Sequence, residues 1–379
     1  MKTNPYTESI AAFTELFLTD ENQYLCIYGG DDTIRSKFLN LLIKNNAFDK
    51  YDPLFIDLKQ DNLEDFLQKD TDKYDLVIID NHILQDLEEI RTIIQSYLPD
   101  IKVVLTAEKD VTVLEDTSYF ELKKLTFREY LMSKDIEISI PKVLQGKYDI
   151  DELNALKDGY ILSESSSDFS SFEKIRADIE GKLYKKDKLV FDEYLQIMAN
   201  QVGKLYKENE IAKIMGVSRR KVKKYTDILL EHNVIEEVFP FIENPDVELS
   251  RHTKYFFQDL SYLHAILGNS YYKGLNKSAV LENFIYLELL QKLGETHALY
   301  FWRKKSGTQI QFVLVNNKNN ALTPIEIHTG SSTSISKAMR SFYTLYSQKI
   351  EHGMLLNEKI AKTTQFEESS FLILPHITI

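Results

Sequence analysis

The chain contains a single cysteine, Cys26, among 379 residues, and this scarcity excludes a disulfide framework and a zinc site built from thiolates. It has only 13 glycines and 8 prolines, and 43% of its residues are hydrophobic, so extended disorder is not expected. No apolar run reaches the ~18 residues of a membrane span, and the first ten residues lack the basic and apolar regions of a signal peptide. These absences predict a folded cytoplasmic protein without a membrane partner.

Positive charge is also in short supply. Lys and Arg together number 46, Asp and Glu number 58, and the formal net charge is −12. A uniformly basic nucleic-acid binder is therefore excluded, and any surface for nucleic acid must be a local patch. A chain of this length is too long for one compact core at ~100–200 residues per domain, so two or three domains are expected.

The first third of the chain has the pattern of an α/β layer, because short apolar runs alternate with amphipathic stretches. Apolar residues at three- and four-residue spacing predict helices at about 33–44, 63–69 and 84–98. The strand candidates are residues 24–28, 53–57, 75–80 and 102–106. This pattern predicts strand–helix units on a parallel sheet.

The rest of the chain divides into a helical segment and an α+β segment. The serine-rich stretch 163–171 is consistent with a loop, and residues 210–233 predict a helix, a tight turn at Gly216 and a second helix from Arg219. The final segment predicts a helix at 278–293, three strands at 298–302, 309–315 and 323–327, and a helix from about Ser336. The predicted domains are 1–150, 151–265 and 266–379.

A phosphate-binding loop would lie directly after the first strand candidate, where Gly29 and Gly30 stand. Such a loop needs a glycine before a lysine and then a hydroxyl group for magnesium. Here Ile34 takes the glycine position, Arg35 the lysine position and Ser36 the hydroxyl position. A β-branched residue forced into a left-handed conformation costs ~1–2 kcal/mol. A strand–helix turn without a ligand is favoured, and weakened nucleotide binding is the alternative.

Four further residues bear on ATP chemistry. Asp31 and Asp32 place two negative charges in the loop, where they would repel a triphosphate. Asp80 ends the third strand and is placed either to hold magnesium through water, as in P-loop ATPases, or to cap a turn. Asn81 follows it, and an amide cannot accept the proton of an attacking water. ATP and magnesium therefore stay open as weakly held cofactors, and efficient hydrolysis is not expected.

The charge of the chain reverses locally at the predicted helix-turn-helix. Residues 210–225 contain six basic residues against the single acid Glu210, a local charge of +5. Ser218 is placed to cap the second helix, so its N-terminus and the basic residues can meet phosphates together. A solvated basic face and a surface for an acidic protein partner are the alternatives to duplex DNA. The candidate DNA-binding residues are Arg219, Arg220, Lys221, Lys223 and Lys224.

The last segment carries polar residues where a metal-dependent nuclease would have its site. Such a nuclease places an acid on one strand and an acid-x-lysine triplet on the next. Gln311 has the shape of a glutamate without its charge, which makes it a poor ligand for magnesium, and His328 takes the lysine position. A structural mixed sheet is favoured over a working metal site. The degenerate metal set is Glu282, Gln311, Glu326 and His328.

Seven short motifs in the same order resemble bacterial and archaeal AAA-type ATPases in which a P-loop domain leads into a winged helix and a C-terminal nuclease-like domain of unknown function. They are LTFREYL at 125–131, VLT at 104–106, DGY at 158–160, KYFFQD at 254–259, LENF at 281–284, YFWR at 300–303 and PIEI at 324–327. The resemblance implies an AAA-type parallel sheet, a helical winged-helix domain and a restriction-endonuclease-like α+β domain.

The departures from that family fall on the residues that would do chemistry. The family pattern implies other residues at Ile34, Arg35, Asn81, Gln309, Gln311 and His328. The resemblance therefore implies a member that kept the fold and lost both activities, with a DNA-binding or regulatory role. The alternatives are a slow ATPase that uses Arg35, Ser36 and Asp80, and a protein-interaction scaffold.

Overall fold

A computed structural model of the protein describes residues 6–28, 32–58, 63–67, 73–80, 87–107, 116–122, 126–132, 134, 136–166, 169–244, 246, 248, 252–293, 296–366 and 369–379. The chain divides into two compact units, Met1–Glu137 and Ile138–Ile379. None of the helices in these ranges combines the length and the apolar character that a membrane span requires.

The first unit is a parallel sheet of five strands with helices on both faces. The strand order is β2-β3-β4-β1-β5, and β1, β3 and β4 are buried along almost their whole length, as expected for central strands covered on both sides. The elements are α1 (Thr7–Thr19), β1 (Tyr24–Tyr28), α2 (Asp32–Lys44), β2 (Pro53–Asp57), α3 (Leu63–Leu67), β3 (Leu76–Asp80), α4 (Leu87–Tyr97), β4 (Lys102–Ala107), β5 (Thr117–Glu121) and α5 (Phe127–Met132).

Two hydrophobic clusters hold the helices to this sheet, one on each face. Phe13 of α1 and Phe38 of α2 pack over Leu25 and Ile27 on one face. The helices α3 and α4 cover the other face, where Ile94 packs in the second cluster. The first unit is therefore a three-layer α/β/α arrangement.

The strand order places a topological switch between the neighbours β1 and β4. The chain leaves the carboxyl end of β1 toward β2 at one lateral edge of the sheet, and it leaves β4 toward β5 at the other. In open parallel sheets, ligands bind in the crevice outside the carboxyl ends of the strands at such a switch. The start of α2 and the end of β3 at Asp80 both lie along this edge.

The second unit begins with helices and a helix-turn-helix that is followed by a two-stranded wing. The helix α12 packs against α7, α8 and α9, and the wing strands β6 and β7 are antiparallel. The elements are α6 (Ile140–Leu144), α7 (Ile150–Ser166), α8 (Phe169–Gly181), α9 (Lys185–Gln201), α10 (Glu208–Ile214), α11 (Arg219–Glu231), β6 (Ile235–Val238), β7 (Lys254–Phe257) and α12 (Leu260–Leu267).

The second unit ends in a mixed sheet of six strands in the order β12-β13-β11-β10-β9-β8. The strands β10, β11 and β13 are parallel, and the remaining pairs are antiparallel. Helix α14 packs on this sheet through Met339 and Phe342. The elements are α13 (Leu275–Lys292), β8 (His297–Arg303), β9 (Gln309–Asn316), β10 (Leu322–Ile327), α14 (Lys337–Tyr346), β11 (His352–Asn357), β12 (Lys362–Phe366) and β13 (Ser369–Pro375).

The structure confirms the coarse fold prediction of a parallel sheet, a helical middle and a C-terminal mixed sheet. The prediction of a loop at 163–171 is wrong, because α7 continues to Ser166 and α8 begins at Phe169. No glycine or proline interrupts that stretch, and buried Leu153 and Ile161 fix the helix that enters it. Most of the serine-rich stretch is therefore helical.

Candidate functional site

The helix-turn-helix presents its second helix through a sharp turn and a side-chain cap. Gly216 adopts a φ of 63°, which a glycine tolerates without strain, and it lets the chain reverse between α10 and α11. Ser218 precedes α11, and its hydroxyl accepts a hydrogen bond from the backbone N–H of Lys221 at 3.3 Å. The inner face of α11 buries Val222, Tyr225 and Leu229. Four basic residues of α11 are consequently exposed on its outer side: Arg219, Arg220, Lys223 and Lys224.

A buried group of three hydroxyls anchors α11 to α9. The Tyr194 hydroxyl of α9 lies 2.7 Å from Oγ1 of Thr226 and 3.3 Å from the hydroxyl of Tyr206. Burial raises the pKa of Tyr194 well above its usual value, so these groups stay neutral. The position of α11 is therefore fixed by a satisfied polar network as well as by apolar packing.

Three of the five candidate DNA-binding cations are paired within the chain. Arg219 donates to Glu208 at 2.5 Å, and Lys223 lies 3.1 Å from Asp227 one turn along α11. Lys221 donates to Asp187 of α9 at 2.6 Å, and this hydrogen bond raises the pKa of Lys221. Lys221 thus ties α11 to α9.

The other two cations, Arg220 and Lys224, are exposed on the outer side of α11. Neither has a hydrogen bond or an ion pair with any residue in the described ranges. They lie four residues apart, which places them on one face of the helix. Both line an open cleft of about 820 Å³ at the start of α9 and α11, together with Tyr184 and Asp227. This cleft, here called the α9–α11 cleft, is the candidate nucleic-acid interface.

The loop that joins the two wing strands is held on the C-terminal sheet. Pro240 forms a bridge with Phe301 of β8. Glu248 is fully buried, accepts a hydrogen bond from Nε1 of Trp302 at 2.5 Å and another from the hydroxyl of Tyr346, and also accepts from two backbone N–H groups of its own loop. The described part of the loop between β6 and β7 is therefore bound to the C-terminal sheet of the second unit.

Of the candidate nucleotide residues, the structure describes Arg35 and Ser36 on α2, which follows β1, and Asp80 at the carboxyl end of β3. Gly29 and Gly30 lie outside the described residues, as do Asp31 and Asn81. The Arg35 side chain is buried on the first turns of α2, and Ser36 beside it is half-buried. Burial raises the pKa of Cys26 to about 12, and the charge of Arg35 opposes that rise.

Asp80 stands at the carboxyl end of β3, where only 3% of it is exposed. Its carboxylate accepts a hydrogen bond at 3.1 Å from Oγ1 of Thr106 on the neighbouring strand β4. The hydroxyl fixes the direction of the carboxylate beside the switch between β1 and β4. This geometry is compatible with a metal-linked carboxylate and equally with a structural hydrogen bond.

Glu282 of the candidate metal set is held in a buried ion pair. Its carboxylate lies 3.3 Å from Nζ of Lys254 on β7, and Lys254 is fully buried. Burial raises the pKa of Glu282, and the charge of Lys254 opposes that rise. Gly203 packs so closely here that a Cβ on it would lie 2.5 Å from the Glu282 carboxyl group. The pair links the wing to α13.

The structure brings together the other three members of that set at β9 and β10. His328 Nε2 lies 3.1 Å from Oε1 of Glu326, and Gln311 bonds the backbone of Ile327 at 3.3 and 3.5 Å. The second carboxylate oxygen of Glu326 is buried and has no hydrogen-bond partner among the residues that the structure describes. No three His, Cys, Asp or Glu side chains in the described ranges are arranged to hold a metal ion.

Sequence reasoning missed three residues that the structure makes prominent. Tyr184 stands alone as an aromatic at the start of α9, and no periodicity singles it out. Glu248 reads as one acid among many in an acidic chain, and its partners are 54 and 98 residues away. His376 is buried against the carbonyl of His328, 48 residues away. Only the folded chain reveals such contacts.

Two family models match the second unit. Residues 139–273 match a domain of unknown function, DUF8612, and residues 277–375 match another, DUF4143. The first match begins one residue inside the second unit, and the second begins in α13 and includes the mixed sheet. Each model covers less than half of the chain.

Curated relatives match over a shorter stretch. An uncharacterized protein of Mycobacterium tuberculosis is 28% identical over 137 residues, which are 35% of this chain and 30% of that protein. An uncharacterized protein of Mycobacterium bovis matches with the same values, so the match spans about a third of the length of either relative. Among solved structures, the DNA clamp loader delta protein of Bacillus subtilis is 12% identical, with a TM-score of 0.26 over 76% of this chain and 95% of that one.

Proposed function

We propose that this protein is a non-catalytic, DNA-binding or regulatory protein of the AAA-type ATPase family, and that α11 is its binding element. The observation that carries the proposal is the pair of unpartnered cations, Arg220 and Lys224, on the outer face of a helix capped by Ser218. A capped helix N-terminus with adjacent cations is suited to phosphate groups. The proposal places the protein in the cytoplasm, in keeping with a cysteine, Cys26, that is free and buried.

The acidic remainder of the chain does not prevent such binding. Charges separated by more than the Debye length of ~8 Å at physiological ionic strength are largely screened from each other. Carboxylates near α11 act more directly, and three of them are already neutralised by Arg219, Lys221 and Lys223. The attraction therefore comes from the two remaining cations and acts at short range.

The most direct experiment compares two double variants with the same change in charge. Arg220→Ala with Lys224→Ala removes the unpartnered cations, whereas Arg219→Ala with Lys223→Ala removes two paired and similarly exposed ones. We expect the first to weaken binding to duplex DNA about tenfold or more, and the second to weaken it about threefold or less. Equal losses would mean that overall charge, and not this pair, attracts the DNA.

The non-catalytic part of the proposal rests on the first unit and on the C-terminal sheet. The five parallel strands and the switch beside Asp80 support a P-loop-type module, and the C-terminal match is to a family often found with AAA ATPases. Ile34 and Arg35 replace the glycine and the lysine of a phosphate-binding loop, and the amide of Asn81 cannot act as a base. These three residues are therefore poorly suited to ATP hydrolysis. In the C-terminal sheet, Glu326 lacks the charged neighbours of a magnesium nuclease. Uncharged Gln309 and Gln311 stand where such a nuclease has acids, and His328 stands where it has a lysine.

A slow ATPase is the second candidate, and it is supported by the position of Asp80 at the carboxyl edge of the first sheet. The hydrogen bond from Thr106 holds a buried carboxylate at the edge of the sheet where nucleotides bind in such folds. Turnover is measured with saturating magnesium-ATP, with the melting temperature followed in parallel. The non-catalytic proposal predicts a rate well below ~1 per second, the low end for enzymes. A rate near that value that Asp80→Ala abolishes would establish the ATPase instead.

A further inference from the structure

Tyr184 is an exposed aromatic residue at the rim of the α9–α11 cleft. It precedes α9, its side chain makes no capping hydrogen bond, and 74% of it is exposed. It lines the same cleft as Arg220 and Lys224. A large ring held in water beside two unpartnered cations has the composition of a surface on which a nucleic-acid base stacks.

The charges along the cleft change sign from one end to the other. The cations Arg220 and Lys224 lie on the first two turns of α11, whereas Glu231 lines the cleft on a later turn, beyond Asp227, which is paired with Lys223. A duplex that lay along the whole helix would bring its phosphates close to these carboxylates. A single strand that crosses the first two turns would meet the basic end, where Asp187 also lines the cleft but is paired with Lys221.

The described part of the loop between the wing strands is bound to the C-terminal sheet and is not available as a second arm for a duplex. Pro240 and the fully buried Glu248 make these contacts. The surface next to α11 that stays open is therefore the start of α9, where Tyr184 lies. Among the described residues, this surface presents the aromatic face of Tyr184 and the two cations without an ion pair, which are separated by about 6 Å of helix rise.

We propose that the α9–α11 cleft binds single-stranded nucleic acid, with one base stacked on Tyr184 and neighbouring phosphates on Arg220 and Lys224. The inference rests on the proposed function, since it requires that α11 bind nucleic acid, and it names the unpaired strand as the preferred form. Stacking on an aromatic ring tolerates any base, so little sequence preference is expected.

The experiment measures binding of the full chain at low salt to an oligo-dT of about 12 nucleotides, within the range of known site sizes, and to a duplex of the same length. Tyr184→Ala removes the ring, and Tyr184→Phe keeps it without the hydroxyl. Leu189→Ala is the matched control, because Leu189 is 80% exposed on the same helix and does not line the cleft. Thermal melting checks that all variants are folded.

We expect oligo-dT to bind more tightly than the duplex, and Tyr184→Ala to weaken oligo-dT binding about tenfold, as one lost stacking contact implies. Tyr184→Phe and Leu189→Ala should bind as the unaltered chain does. If Tyr184→Ala leaves oligo-dT binding unchanged while loss of Arg220 and Lys224 abolishes duplex binding, the inference is wrong and the proposed function stands. If neither oligonucleotide binds, both fail, and binding of polyglutamate through Tyr184 and Lys224 would identify the cleft as a site for an acidic protein.

Discussion

His376 is a buried imidazole near the C-terminal end of the chain. Its Nε2 lies 2.9 Å from the carbonyl oxygen of His328 and donates its hydrogen to it, and its Nδ1 has no hydrogen-bond partner. Burial and the nearby charge of Lys157 together lower the pKa of His376 to about 3, against the opposing effects of its hydrogen bond to His328 and of the charge of Asp158. The native structure therefore holds this imidazole neutral.

The neutral state of His376 makes the stability of the chain depend on pH. Between pH ~6.5 and ~3 the unfolded chain binds a proton that the folded chain does not, so the free energy of unfolding falls as the pH falls through this range. The contribution is at most ~1.4 kcal/mol per pH unit, and it is complete above pH ~6.5. Urea unfolding at pH 7.5 and 5.5 measures it.

The control for this measurement is a second histidine. His376→Gln should reduce the difference in unfolding free energy between the two pH values, because glutamine does not titrate. His297→Gln should leave that difference unchanged, because His297 is exposed. An unaltered pH dependence in His376→Gln would show that the imidazole is charged, or solvated, in the folded chain.

At the scale of elements, the ion pairs that decide which cations of α11 are available to a ligand come partly from other elements. The bounds of α11 and of most strands follow from periodicity, capping and turn residues, and the sequence therefore predicted them within a few residues. The five adjacent basic residues looked alike, but Asp187 and Glu208 neutralise two of them. Nothing in the local pattern separates those two from Arg220 and Lys224.

The strands that the sequence did not predict share a physical reason. They are β5, the wing strands β6 and β7, and β11 to β13, where the local pattern did not distinguish a strand from a buried helix or a loop. The exposed strand β12 has no apolar alternation, and only its pairing with β13 makes it a strand. Pairing between distant segments is a property of the folded chain that no local window contains.

The loop between the wing strands provides a prediction at this scale. Glu248→Ala would leave the indole N–H of Trp302 and the hydroxyl of Tyr346 buried without an acceptor, which costs ~3 kcal/mol of unfolding free energy. Glu243→Ala is the matched control in the same loop, because its partly exposed ion pair with Lys349 contributes under ~1 kcal/mol. Chemical unfolding measures both, and a loss of under ~1 kcal/mol in Glu248→Ala would contradict the described contacts.

At the scale of the whole molecule, a chain with a large negative net charge carries a small basic site on α11. The net charge is −12, and the unpartnered positive charge of α11 is confined to Arg220 and Lys224. Each phosphate that a protein neutralises contributes ~0.9 to the slope of log affinity against log salt on duplex DNA and ~0.7 on a single strand. The number of cations in use is therefore measurable without altering the protein.

The salt dependence of binding by the unaltered chain tests the central claim most directly. Two phosphate contacts predict a log–log slope of about −1.4 on oligo-dT and about −1.8 on duplex DNA. A slope near −3.5 or −4.5, respectively, would mean that all five basic residues of α11 are engaged and that their ion pairs open on binding. That steeper slope, or the absence of binding at low salt, would contradict the account.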